Sequence, residues 1–217
     1  MNKKKVIIIS LSLIIIAFII YVFFFKKNEP VKVEKPAVKH ETVENLYKTV
    51  KVNNCTEFTN YDKDTNVTEM TTESMLYLIF NQMKKDKVLK SSIEKQQYEV
   101  SAKKVFQTEI WPKEFKNYTY DGYSYSLNGD TINREKGECD SPKYVSKLYG
   151  YSTKKEALEV DVAVAYIKDN KVYNLNNEEI GDYDKNKINK ILDKGTIQVY
   201  NYTLENDNYY LSSIGSK

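Results

Sequence analysis

Residues 157–167 read ALEVDVAVAYI, and this stretch decides the fold class of the chain. Every second residue is large and apolar: Leu158, Val160, Val162, Val164 and Tyr166. Because successive side chains of a strand point to opposite faces, this alternation predicts a β-strand with one face on a hydrophobic core. The other face carries Glu159, Asp161, Ala163, Ala165 and Ile167, so we expect that face to be concave or partly covered.

The two-residue period continues through most of the sequence after Pro112. We predict a hairpin from residues 118–127 and 130–135, strands at 143–151 and 171–175, a short helix at 185–192, and a final hairpin from 196–205 and 208–214. Before Pro112 the apolar residues follow a helical period instead. Helices are expected at residues 42–50, from Thr71 or Thr72 to about Lys85, and from an N-cap at Ser101 to just before Pro112. The predicted fold class is therefore α+β, with helices packed on a curved antiparallel sheet in a cystatin-like or NTF2-like outline.

The N-terminal segment predicts a membrane anchor. Residues 6–25 read VIIISLSLIIIAFIIYVFFF and carry no charge, and a helix of about 20 apolar residues spans a bilayer. A cleaved signal peptide is the alternative, but the apolar run is long for one and no A-x-A pattern follows it. We expect a cytoplasmic tail at residues 1–5, an extended charged spacer at 26–41, and an extracytoplasmic domain at 42–217.

Cys55 and Cys139 are the two cysteines of the chain. In an exported domain such a pair predicts one disulfide, whereas two unrelated reduced thiols would suit a cytosolic domain. The disulfide is the interpretation that agrees with a domain outside the membrane.

The charge pattern argues against nucleic acid as a partner. The net charge is +3, and Arg134 is the sole arginine among 33 basic residues. Arginine supplies the planar fork that binds phosphate and guanine, so a surface built almost wholly of lysine is a poor candidate. The abundance of Lys, Asn, Ile and Tyr is typical of an AT-rich bacterial genome.

Common catalytic and cofactor motifs are missing from the predicted domain. The one histidine, His40, lies in the spacer, which excludes Ser-His-Asp, Cys-His and zinc-histidine sites within residues 42–217. The glycines form neither a P-loop nor a Rossmann turn. We expect no cofactor.

Residues 62–73 resemble a calcium loop in part. Asp62, Asp64, Asn66 and Glu73 occupy positions 1, 3, 5 and 12 of an EF-hand spacing. Position 6, where glycine is needed, is Val67. The alternative is a solvated polar loop that caps the following helix.

Glu159 and Asp161 are the candidate catalytic pair. They share one strand face about 6.6 Å apart, a spacing at which two carboxylates can act as acid and base. The alternative is the solvated side of a strand.

The tyrosine-rich segment YSYSLNGDTINRE, residues 123–135, is the candidate binding surface. Asn128-Gly129 predicts a type I′ hairpin turn, with Tyr123 opposite Arg134 and Tyr125 opposite Ile132. Asp121-Gly122 is then a turn or bulge. The hairpin either offers a stacking surface or packs one face inward, with Arg134 against Tyr123 as a cation–π pair. The candidate binding residues are Tyr118, Tyr120, Tyr123, Tyr125 and Arg134.

Four segments carry a resemblance: NLYKTV (45–50), KKVFQTEIWP (103–112), GEC (137–139) and YNYTLENDNYYLSSI (200–214). Together they resemble uncharacterised membrane-anchored proteins of AT-rich Gram-positive bacteria. This resemblance implies a location and a fold but no functional residue. We expect a non-catalytic module that binds a protein, a peptide or a wall component, or that serves in an envelope complex. The alternative is a carboxylate-dependent glycan hydrolase.

Overall fold

The computed structural model describes residues 38–52, 54–139, 142–154 and 156–217. The predicted tail and anchor, and most of the spacer, lie outside these residues. Within them, no helix is both long enough and apolar enough to cross a membrane. Residues Val38–Lys217 form one structural unit.

The helices lie mainly in the first half of this unit. The helix Thr72–Lys85 (α2) begins where the sequence predicts. The Thr71 side chain caps it by accepting a hydrogen bond from the backbone N–H of Ser74 at 3.3 Å. The helices are α1 (His40–Val50), α2 (Thr72–Lys85), α3 (Lys95–Phe106) and α4 (Ile188–Ile191), with single 3₁₀ turns at Val67–Glu69 and Leu192–Lys194.

The predicted start of α3 at Ser101 is wrong. A capping box between Glu94 and Gln97 begins the helix at Lys95, because each side chain satisfies a free backbone N–H of the other residue. Ser101 lies within the helix, buried, and its hydroxyl donates to the Gln97 carbonyl at 3.2 Å. The helix ends at Phe106, and Gln107 caps it in the left-handed conformation.

The larger sheet is antiparallel and has seven strands. Strand β7 (Ala157–Lys168) lies at its centre. It pairs with β6 (Lys143–Lys154) on one side and with β10 (Thr196–Glu205) and β8 (Lys171–Tyr173) on the other. The order is β1-β11-β10-β7-β8-β9, with β6 on the far edge of β7. The strands are β1 (Thr65–Asn66), β6 (Lys143–Lys154), β7 (Ala157–Lys168), β8 (Lys171–Tyr173), β9 (Glu179–Asp182), β10 (Thr196–Glu205) and β11 (Asn208–Ser216).

Both faces of β7 have the environments that the alternation predicts. The apolar face packs in the main core with α2, and Val160 lies opposite Tyr200 of β10. On the other face, Ala163 and Ala165 are buried in a second cluster with Val172 and Leu192. This face is therefore partly covered.

The smaller sheet holds the tyrosine hairpin against α2. Phe80 of α2 is fully buried, with four tyrosine rings around it at centroid distances of 4.7 to 6.4 Å. The strand order is β2-β5-β4-β3. The strands are β2 (Ser92–Glu94), β3 (Tyr118–Tyr120), β4 (Tyr123–Asn128) and β5 (Thr131–Lys136).

The register of this hairpin differs from the prediction. Asn128 pairs with Thr131, so the turn residues are Gly129 and Asp130, and Tyr125 lies opposite Arg134. Of the two turn residues only Gly129 has positive φ, at 62°, as a type II′ turn requires. Within this sheet, the turn with positive φ at both positions is Asp121-Gly122, at 53° and 80°. Asn-Gly and Asp-Gly carry the same local signal, so the local sequence does not determine which of them forms the type I′ turn.

Replacing Gly122 with alanine is expected to lower the free energy of unfolding by about 1 kcal/mol. An added Cβ would meet no atom within 4 Å, so the cost comes from the positive φ alone. Gly150→Ala is the matched control, since Gly150 lacks positive φ and its Cβ would lie 4.0 Å from the Asp161 carboxylate. Urea unfolding of both variants is the measurement, and equal losses would contradict the turn assignment.

The predicted disulfide is present between Cys55 and Cys139, whose Cα atoms are 5.2 Å apart. It joins the segment after α1 to the segment after β5. The backbone carbonyl of Cys55 also accepts from the N–H of Gly122 at 3.1 Å. The crosslink therefore lies beside the Asp121-Gly122 turn.

Candidate functional site

The five predicted binding residues do not form one exposed surface. Tyr118, Tyr120 and Tyr125 are at most 2% exposed and pack around Phe80 in the core. The Tyr120 hydroxyl donates to the Asn81 side chain at 2.8 Å, so α2 covers this part of the hairpin. The prediction of a stacking platform that includes these three tyrosines is therefore wrong.

Tyr123 and Arg134 remain at the surface. Tyr123 is 40% exposed, and the Arg134 guanidinium carbon lies 4.3 Å from the centroid of its ring. The predicted cation–π contact is confirmed, although it runs diagonally because Tyr123 pairs directly with Lys136. Burial raises the pKa of the Tyr125 hydroxyl, and the positive charge of the nearby Arg134 counteracts this rise. The contact with the Tyr123 ring places the guanidinium group beside both tyrosines.

A small recess of about 240 Å³ lies beside this pair. The polar and aromatic residues of its lining are Lys84, Lys87, Asp121, Tyr123, Tyr125 and Arg134, and we call it the Arg134 recess. Lys84 forms a 2.6 Å salt bridge with Asp121. Among the described residues, neither Lys87 nor Arg134 forms a salt bridge. The recess therefore combines three cationic side chains with one carboxylate.

The chemistry of the Arg134 recess suits an anion. Arginine has five N–H donors in a planar fork. Their arrangement matches the geometry of a phosphate or carboxylate group. Tyr123 adds an exposed aromatic ring next to that group.

Lys84 and Lys87 were not predicted as site residues. On the sequence they lie at the end of an amphipathic helix, where basic residues normally complement the helix dipole. Lys87 projects from this end with a positive φ of 60°, which no sequence pattern identified. Contact between the end of α2 and the hairpin is the tertiary information that was missing.

Glu159 and Asp161 are brought together by Lys217. The Lys217 ammonium lies 2.6 Å from a Glu159 oxygen and 2.8 and 2.9 Å from the two Asp161 oxygens. The two carboxylates raise the pKa of Lys217 through these hydrogen bonds. The arrangement is a three-residue ion network on the outer face of the sheet, with the carboxylate side chains 22% and 14% exposed.

The four calcium candidates occupy separate structural settings. Asp62 accepts from Asn60 at 2.8 Å, and Asp64 accepts from Asn201 at 3.4 Å. Asn66 lies in β1 opposite Ser213, and Glu73 lies in the first turn of α2. Among the described residues, no three His, Cys, Asp or Glu side chains form a group that could hold a metal ion. Thr65 and Asn66 pair with β11 as a short strand, so residues 62–73 do not form the continuous loop that an EF-hand spacing requires.

Larger clefts lie elsewhere on the surface, with volumes of about 620, 520, 360 and 300 Å³. One of about 620 Å³ is next to the β7–β8 turn and includes a single acidic residue, Asp169. Another of about 360 Å³ lies between α1 and the β10–β11 hairpin. It includes Lys85, whose pKa is lowered chiefly by burial, and whose ammonium lies 3.3 Å from the Thr49 hydroxyl. None of these clefts contains the Glu159–Asp161 pair.

Comparison of the chain with models of known families, with curated proteins and with solved structures finds no match.

Proposed function

We propose that the chain is a membrane-anchored, non-catalytic binding module whose ligand presents an anionic group to the Arg134 recess. The observation that carries the proposal is the guanidinium of Arg134, flanked by Lys84 and Lys87 and by the exposed ring of Tyr123. Such a surface suits a protein, a peptide or a wall component that carries phosphate or carboxylate groups. A role as a subunit of an envelope complex belongs to the same proposal.

The proposed location is extracytoplasmic, with residues 6–25 as the anchor in the lipid bilayer and residues 1–5 on the cytoplasmic side. The disulfide supports this location, because such crosslinks persist in oxidising compartments. The resemblance to anchored proteins of Gram-positive bacteria points the same way. For the fold, helices against an antiparallel sheet are compatible with a cystatin-like or NTF2-like outline, which we include in the proposal.

A glycan hydrolase that uses Glu159 and Asp161 is the competing proposal. Its supporting observation is that the two carboxylates lie side by side on one sheet face and are partly accessible. The Lys217 ammonium is hydrogen-bonded to both carboxylates, so a substrate would have to displace it before either carboxylate could act on a glycosidic bond. The binding module is therefore better supported.

Arg134→Gln is expected to weaken the binding of inorganic phosphate to the full chain about tenfold or more, because a charge-assisted hydrogen bond contributes about 1.5 kcal/mol or more. Isothermal titration calorimetry in a phosphate-free and sulfate-free buffer measures the change. Lys113→Gln is the control, since Lys113 is exposed and does not line the recess. It removes the same charge and should change the affinity less than about twofold. Equal affinities in the wild type and in Arg134→Gln would contradict the proposed site.

Release of reducing ends from purified wall glycan tests the competing proposal. The wild-type chain should release none above background. Release that disappears in a Glu159→Gln, Asp161→Asn double variant would establish the hydrolase and contradict the non-catalytic module.

A further inference from the structure

Strand β6 forms an edge of the larger sheet. It has 12 residues, and among the described strands it pairs with β7 alone. An edge strand presents unpaired backbone N–H and C=O groups, which are a template for an additional strand. Natural proteins usually cover or interrupt such edges.

Two hairpins show which backbone groups of β6 face outward. Lys154 opposite Ala157 closes the β6–β7 ladder, and Lys168 opposite Lys171 closes the β7–β8 ladder. The closing pair of a tight hairpin is hydrogen-bonded, and hydrogen-bonded pairs alternate along an antiparallel ladder. Both hairpins lead to the same assignment: the N–H and C=O groups of Tyr151 and Thr153 point away from β7.

The first half of this edge is covered. The Tyr47 hydroxyl of α1 donates to the Ser146 carbonyl at 3.1 Å, and the Val52 N–H donates to the Ser146 hydroxyl at 3.0 Å. Within the described part of the chain, no comparable contact reaches the outward groups of Tyr151 and Thr153. The second half, residues 149–154, is therefore open.

Two exposed tyrosines of the open half lie on opposite faces of the sheet. Tyr151, 43% exposed, lies opposite Val160 and so shares the face that carries the helices. Tyr149, 51% exposed, has the Lys147 ammonium 5.9 Å from its ring, and Lys147 bonds Asp193 on the other face. A strand added here would have one aromatic ring on each face.

The charge of β6 indicates which kind of segment can pair with its open half. The strand KYVSKLYGYSTK has no acidic residue, and of its three lysines Lys143 and Lys147 lie in the covered half. Lys154 lies in the open half, is exposed and forms no salt bridge within the described residues. A second copy of β6 would bring two basic strands together, and like charges in neighbouring strands are destabilising. An acidic segment would meet opposite charge instead.

We infer that residues 149–154 of β6 receive an extended acidic segment of another protein as an additional antiparallel or parallel strand. Main-chain hydrogen bonds to Tyr151 and Thr153 provide affinity, and the two tyrosine rings contact alternate side chains of the segment. The bulge between Leu148 and Gly150 interrupts the alternation of outward-facing backbone groups along β6, so the partner strand is short. This surface is separate from the Arg134 recess, and the inference does not depend on the proposed function.

The experiment measures binding of a labelled octapeptide, in which glutamate alternates with valine, to the full chain by fluorescence anisotropy. Three changes should each weaken binding about tenfold or abolish it: N-methylation of alternate peptide amides, lysine in place of glutamate, and Thr153→Pro in the protein. Thr153→Pro removes an outward N–H and leaves the β6–β7 ladder intact, whereas the control Ser152→Pro removes an inward one and should destabilise the fold. N-methylated peptide tests the same hydrogen bonds without changing the protein.

Hydrogen exchange of the full chain shows where the peptide binds. Bound peptide should slow exchange of the amides of Tyr151 and Thr153 and leave the recess residues unchanged. Absence of saturable binding, or binding unaffected by N-methylation, would overturn the inference. Protection of these amides without peptide that rises with protein concentration would also overturn it, because the occupant would then be a second copy of the chain.

Discussion

Raising the pH from about 9 to about 11 is expected to unfold the domain cooperatively. Burial raises the pKa of a set of core tyrosines above the usual 10.0: Tyr77, Tyr98, Tyr118, Tyr200 and Tyr202. Because the pKa is higher in the folded state, their stabilising contribution is fully present below about pH 10 and is lost as the pH rises further. Each tyrosine contributes about 1.4 kcal/mol per pH unit above 10, so five amount to about 7 kcal/mol at pH 11. That loss is comparable with the whole stability of a typical domain.

Absorbance of tyrosinate near 295 nm and near-UV circular dichroism, recorded together, test this expectation. The absorbance of the buried set should appear in one steep step that coincides with loss of the dichroism signal, and both should recover on return to neutral pH. A gradual rise in absorbance that reaches the value for all 19 tyrosines of the chain, with native dichroism up to about pH 11, would show that the buried hydroxyl groups ionise in the folded state. The burial of the tyrosine core would then be contradicted.

Removal of the disulfide by Cys55→Ser and Cys139→Ser is expected to lower the free energy of unfolding by about 4 to 5 kcal/mol. The crosslink spans a sequence separation of 84 residues. In the reduced chain this long loop gains conformational freedom in the unfolded state, which is the source of the loss on the chain-entropy model. Urea unfolding of the full chain in neutral buffer is the measurement.

Treatment of the wild-type protein with a reducing agent is the control for this variant. Reduction should lower the stability by a similar amount, while the same agent should leave the double variant unchanged. A loss below about 1 kcal/mol in both experiments would indicate that the crosslink contributes little to the fold.

Much of the architecture followed from local patterns. The alternation at 157–167 predicted the central strand, and the turn at Asn206-Asp207 forms with positive φ at both residues. Thr71 caps α2 as expected. These features depend on side chains close in sequence, which is why they could be predicted.

The errors arose where distant contacts decide the outcome. Tyr120 and Tyr123 are cross-strand partners in equivalent positions, yet Tyr120 is fully buried and Tyr123 is exposed. Tyr120 is buried because it packs against Asn81, and the sequence of the hairpin does not indicate this contact. Three of the five predicted binding residues therefore lie in the core, where they pack on a helix about 40 residues away in the sequence. The lysines of the Arg134 recess were missed for the same reason.

The most direct test of the proposed binding site is the NMR resonance of the Arg134 side chain. Because Arg134 is the sole arginine of the sequence, its Nε–Hε signal is identified without assignment of the rest of the chain. Titration of the full chain with inorganic phosphate should shift this signal in a saturable manner, and the Lys113→Gln control should behave like the wild type. An Arg134 signal that stays in place while phosphate is added to saturation would contradict an anionic ligand at the recess.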